Sequence, residues 1–127
     1  MELTINGEVY SFQFNIGFLR DINKTVMTPV DGVPGLKKEA GLSFAVASLI
    51  DGDVEELVTV LDLANKRQEP RVTTKLIEDY IDDESTDIDA LFDTVLDFLA
   101  KSNATRKVTL QIRNAVKKEM EKQAADL

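Results

Sequence analysis

Asn6-Gly7 sits between two short alternating segments in "ELTINGEVYSFQF", and almost everything after it has helical period. A type I′ turn needs positive φ at both central positions, which Asn tolerates and Gly adopts freely. Pairing around that turn places Leu3 opposite Tyr10 and Ile5 opposite Glu8. Leu3, Ile5, Tyr10, Phe12 and Phe14 then share one face, while Thr4, Ser11 and Gln13 point away. A lone hairpin is marginal in water, so its aromatic face must pack on helices.

The downstream segments supply them. Asn15 is placed to cap a helix carrying Phe18, Leu19, Ile22 and Val26. "TPVDGVPG", residues 28–35, breaks that helix with two prolines and two glycines and reads as a plain interhelical connection. Leu36 to Ile50 is apolar on nearly every side after Lys37-Lys38-Glu39, which predicts a central buried helix. Ala40, Gly41, Ala45, Ala47 and Ser48 would let its neighbours approach closely. Asp51-Gly52 ends it, and Asp53 with Glu56 forms a capping-box variant for the next helix. Val54, Leu57, Val58, Leu61 and Ala64 are that helix's apolar stripe.

Beyond Pro70, a short helix is expected from Thr74 to about Asp82, with Leu76, Ile77, Tyr80 and Ile81 inward. Another runs from about Asp87 to Lys101 on Ile88, Leu91, Phe92, Val95, Leu96 and Leu99. Ala104 to about Gln123 has a thinner stripe of Val108, Ile112, Val116 and Met120, and its "KVTLQI" alternates like a strand. The fold class is therefore α+β, mostly α: an N-terminal hairpin packed on one bundle of about five or six helices, with no more than three strands. Residues 1–102 make one globular domain, and 103–127 a charged C-terminal helix at its edge, exposed or free to move. The expected core is Leu3, Ile5, Phe12, Phe18, Leu19, Ile22, Phe44, Val46, Leu49, Leu57, Leu61, Ile77, Leu91, Phe92, Val95 and Leu99.

Composition narrows the chemistry. With 127 residues, 43% of them hydrophobic, the chain has material for one real core. It contains no Cys and no His. That removes disulfides, thiolate nucleophiles, Cys-ligated zinc and the side chain most used for general base work near neutral pH. No Gly-rich phosphate loop is present, since "DGVPG" lacks the Lys and the helix such a loop needs. Neither an enzyme nor a cofactor is expected. The longest apolar run, Phe44 to Ile50, is far too short for a membrane span, and the opening Met1-Glu2 leads straight into strand-like alternation rather than a signal peptide.

The net charge of −8 argues against a general nucleic-acid binder, but its distribution says more than its sum. Residues 51–100 carry fifteen acids and four bases, a net of −11, whereas residues 101–127 carry seven bases and three acids, a net of +4. The densest acid run, "YIDDESTDIDALFDTVLDFLA", residues 80–100, holds six Asp, one Glu and no base. A calcium loop of the EF-hand kind needs Gly at its sixth position and Glu at its twelfth. Counting from Asp83 puts Ile88 and Thr94 there, and counting from Asp82 puts Asp87 and Asp93 there. From Asp51, Glu56 stands where the glycine should be.

A helix start explains the run better. Thr86 with Asp89 resembles a capping box, and acids near a helix N-terminus are favoured by its dipole. Asp89, Asp93 and Asp97 recur at i+4 opposite the apolar stripe, where like charges cost a few tenths of a kcal/mol each. Neutralising Asp93 and Asp97 should then leave the fold intact and raise stability slightly. These three carboxylates and the bases Arg106, Lys107, Arg113, Lys117 and Lys118 are the candidate partner-binding residues. The acids could also act as surrogate phosphates, which makes an acidic nucleic-acid mimic that inhibits a DNA-binding protein the alternative function.

A string of segments in order carries a family resemblance: "ELTINGEVYSFQFNIGFLRDINK", "TPVDGVPGLKKEAGL", "ASLIDGDVEELVTVLDLANK", "VTTKLIEDYIDD" and "DIDALFDTVLDFL". Over about residues 1–102 the chain resembles the tail assembly chaperones of long-tailed phages and prophages of Gram-positive bacteria. The resemblance implies a protein of the host cytoplasm, absent from the mature virion. Such a protein binds the long helical tape measure protein and keeps it soluble until tail tube protein polymerises around it. Self-association into a ring or spiral, and a longer product made by ribosomal frameshifting, belong to the same expectation. It brings no catalytic residues with it.

Overall fold

The structure, a computed structural model, describes residues 1–126. β1 (Glu2–Ile5) and β2 (Glu8–Ser11) form the expected hairpin, with Leu3 paired to Tyr10 and Ile5 to Glu8. Asn6 has φ 53° and Gly7 φ 79°, the two positive values that the turn requires. Ile5, Tyr10, Phe12 and Phe14 are buried, whereas Val9 on the reverse face is half exposed. The strand's end is tied to a helix distant in sequence, because the Gln13 N–H donates to the Ala64 carbonyl at 2.9 Å. Phe14 meets Phe18 edge-on with ring centroids 5.2 Å apart, so hairpin and first helix share one apolar layer.

α1 (Ile16–Asn23) begins where the Asn15 side chain accepts the Phe18 N–H at 3.0 Å. It ends before Val26, which the apolar stripe alone would have included. The segment that follows is more than a connection. β3 (Met27–Pro29) pairs antiparallel with β4 (Lys37–Glu39), giving four strands among the described residues where no more than three were expected. Gly32 and Gly35, with φ 77° and 81°, turn the tip, and the Val30 N–H donates to the Leu36 carbonyl at 2.9 Å. Hydrophobic alternation cannot announce this ribbon because it covers no core. Residues 31–39 are all exposed, so turn geometry and backbone pairing alone define it.

The central helix consequently starts later than its composition suggests. α2 (Gly41–Ile50) has no side-chain cap of its own, and Asn23 at the end of α1 accepts the Leu42 N–H at 3.0 Å instead. Gly41 lies against α1 so closely that a Cβ would collide with the Ile22 carbonyl oxygen. Leu42, Ala45, Val46 and Leu49 are buried, but Phe44, expected in the core, is 49% exposed. It stands about 200° around the helix from Leu42 and Val46, so this face cannot bury all three.

α3 (Val54–Asn65) is capped by Asp53, which accepts the Glu56 N–H at 3.1 Å. α4 (Thr74–Asp82) is capped by Thr73, and α5 (Ile88–Lys101) by Asp87, which accepts the Ala90 N–H at 3.0 Å. The α5 cap lies one residue beyond the expected Thr86, whose hydroxyl is engaged instead by the Tyr80 carbonyl at 2.6 Å. α6 (Arg106–Ala125) is helical throughout, including the strand-like "KVTLQI". Its start is tied to α5 by buried Thr105, whose hydroxyl donates to the Leu99 carbonyl at 2.7 Å, and the buried Thr109 hydroxyl donates to the Thr105 carbonyl one turn before it, also at 2.7 Å.

α2 packs against α1, α3, α5 and α6 and forms the axis of the bundle. Of the expected core, Leu3 and Leu19 are only half-buried, while the rest apart from Phe44 are buried. Tyr10, Phe14, Leu42, Ala45, Val60, Ala64, Val72 and Leu96 complete it.

Candidate functional site

The acid run resolves into three local tasks. Asp83 accepts both the N–H and the hydroxyl of Ser85, at 2.8 and 2.7 Å, and these bonds hold its carboxyl below the usual range. Asp87 caps α5. Asp89, Asp93 and Asp97 follow on the exposed edge of that helix, as the i+4 spacing requires.

That edge forms one wall of a groove of about 550 Å³ between the end of α2, α5 and the second half of α6. The floor is apolar: Leu49 and Ile50 come from α2, Phe92 and Leu96 from α5, Val116 and Met120 from α6. Asp89 and Asp93 stand on the α5 side, Arg113 and Lys117 on the α6 side. The geometry follows from two periodicities. α5 turns Leu91, Val95 and Leu99 inward, which sets its Asp stripe along an exposed edge. The α6 stripe recurs every four residues from Val108, and it continues past the point where the helix leaves the body.

Four of the eight candidate residues therefore meet in one place. Asp97 stands next to them and accepts a hydrogen bond from Arg113 at 3.2 Å, a partner that simple i+4 repulsion did not foresee. Arg106 and Lys107 line a separate depression with Asn103, Leu110, Gln111 and Asn114. Lys118 is exposed and makes no ion pair among the described residues. The contributors missed in the sequence are Leu49, Ile50, Phe92 and Leu96, which read only as helix core. Met120, 62% exposed, was visible as the last apolar position of a stripe that had run out of neighbours.

An apolar floor between charged walls is a surface for docking an amphipathic helix, with the floor supplying burial and the walls orientation. No helix among the described residues is long and apolar enough to cross a membrane. The molecule is thus a mostly helical α+β domain with an apolar, charge-walled groove between α2, α5 and α6. Residues 2–114 match the family model described as phage tail assembly chaperone protein, TAC, and the chain belongs to that family. The match runs from β1 through α5 and into α6, fifteen residues beyond Leu99, where the segments that carry the resemblance end. Neither the curated proteins nor the solved structures yield a match.

Proposed function

We propose that this chaperone binds the tape measure protein of a phage tail, one copy or a few per helical segment, and keeps it soluble in the host cytoplasm. Tail tube protein then polymerises around the tape measure protein, and the chaperone is left out of the finished virion. The action is stoichiometric binding rather than catalysis. The observation that carries the reading is the apolar groove between α2, α5 and α6 in a member of this family. A tape measure protein is long and helical, so its apolar stripes need cover until the tube supplies it. A groove with Leu49, Phe92, Leu96 and Val116 in its floor offers that cover, and an acidic body keeps the complex dispersed.

Co-expression with the tape measure protein of the same tail gene cluster tests this. The two should co-purify, and Val116→Asp with Met120→Asp should return the tape measure protein to the pellet. A tape measure protein equally insoluble with and without the wild-type chain would refute the proposal. Retention instead of a DNA-binding regulator, released by moderate salt, would favour the acidic mimic.

A further inference from the structure

α3 and α4 pack on each other and leave a second groove of about 440 Å³ between them, which shares no lining residue with the first. Val54 and Val58 of α3 and Ile81 of α4 form its apolar floor, and Val54 is 43% exposed. Glu55 stands on one rim, Glu78 and Asp82 on the other, and all three are exposed. No base lines it among the described residues. α3 contains none, and the one base of α4, Lys75, is held by Asp79 at 3.2 Å. Glu55, Glu78 and Asp82 form no ion pair among the described residues. Three like charges around one floor repel one another until a cation comes between them. An acidic rim alone would serve solubility; the exposed apolar floor beneath it adds a place for an apolar anchor.

We infer that the α3–α4 groove docks one turn of a partner's amphipathic helix that carries an apolar anchor flanked by Lys or Arg. Val54 and Val58 lie one turn apart, as do Glu78 and Asp82, so the groove is about 6 Å long and takes one anchor with bases on either side. The first groove, with walls of opposite sign, does not select the net charge of what enters it. This one does, because an acidic helix would set like charges against all three carboxylates. The two grooves adjoin at the α2–α3 corner, where Gly52 lines the first, Val54 the second, and only Asp53 stands between. One step rests on the tape-measure reading: a single client makes both contacts, and its turn at the α3–α4 end is basic.

Fluorescence anisotropy with the full chain and two labelled synthetic helices tests the groove without any client. Both peptides carry the same leucine stripe, one flanked by Lys and the other by Glu. The Lys-flanked peptide should bind at least about tenfold more tightly, and Glu55→Lys with Glu78→Lys should weaken it about tenfold or more. Asp89→Lys with Asp93→Lys makes the same change of net charge at the first groove and should weaken it less than about threefold. Val54→Asn, which removes floor without adding charge, should weaken it about threefold or more. Circular dichroism identical to wild type confirms that each variant is folded. Equal affinity for the two peptides, equal losses in the two charge-reversed variants, or an unchanged Val54→Asn would each overturn the inference. So would an oligomer, seen by sedimentation velocity without peptide, that Glu55→Lys with Glu78→Lys dissociates, since a second copy would then own the groove. Tape measure co-purification that survives Glu55→Lys with Glu78→Lys, yet is lost with Val116→Asp and Met120→Asp, would sink the basic contact and leave the proposed function standing. A Lys-flanked peptide that binds as expected, beside a tape measure protein that never co-purifies, would do the reverse.

Discussion

Asn65 should be the costliest polar side chain to remove. It is fully buried at the end of α3, and its amide makes four hydrogen bonds. The nitrogen donates to the Ser11 carbonyl at 2.9 Å and the Pro70 carbonyl at 3.2 Å. The oxygen accepts the Val72 N–H at 2.7 Å and Arg71 Nη1 at 3.0 Å. One side chain thus ties the hairpin, α3 and the loop before α4. In Asn65→Ala the Val72 N–H is left buried without a partner, and a buried orphan costs about 1–3 kcal/mol. The Ser11 carbonyl loses its bond in a half-buried site and adds roughly another 1 kcal/mol. Pro70 is exposed and takes water, while Arg71 keeps the Asp62 carboxylate and two carbonyls. The sum is about 3 kcal/mol, a large share of the stability of a domain this size. Urea denaturation should show the midpoint falling by roughly 2 M with an unchanged slope. Arg71→Ala, with its side chain 41% exposed, should cost no more than about 1 kcal/mol. An Asn65→Ala loss below about 1 kcal/mol, or equal losses for the two variants, would refute the reasoning.

The carboxyl of Glu56 is pushed up from 4.5 by burial, with Asp53 adding to the shift. A raised acid favours folding when protonated, so that contribution is present below 4.5 and lost as pH rises through the folded value. Glu56→Gln should therefore stabilise the protein at neutral pH and become neutral in acid; a thermal-shift series showing equal gains at all pH would contradict this. Asp93→Asn should gain a few tenths of a kcal/mol by easing i+4 repulsion. Asp97→Asn should lose a similar amount with its Arg113 bond, because that pair is exposed. Chemical denaturation of the double variant should then match wild type, and a loss of folding would reveal partners the structure does not show.

What was legible in the sequence is what hydrophobic period or turn chemistry encodes locally. Asn6-Gly7 fixed the register of the first hairpin, and Asn15 and Asp53 cap the helices they precede. Two kinds of feature escaped. The β3–β4 ribbon buries nothing, so its residues carry no alternation, and only the two glycines mark it. The start of α2 depends on a side chain from another helix, Asn23, and on the close approach of Gly41 to Ile22. Both are tertiary facts. Without them the apolar segment from Leu36 offers no reason to begin at Gly41, and Phe44 looks like core.

The site divides the same way. The Asp stripe of α5 and the stripe of α6 were each readable as exposed or thinly apolar faces, because i+4 spacing settles which residues of one helix share an edge. That Asp93 and Lys117 line one groove while Arg106 and Lys107 lie elsewhere depends on how α6 crosses α5. At that corner stand Thr105 and Thr109, buried polar residues with no periodic signature. The Thr105 hydroxyl bonds the Leu99 carbonyl of α5 and the Thr109 hydroxyl bonds the Thr105 carbonyl one turn before it, which lets both polar side chains hold positions inside the packing. The corner therefore decides both where the groove opens and how much of α6 projects beyond it. The groove here is the product of two ordinary helices and a corner at which the buried Thr105 hydroxyl ties the start of one to the end of the other.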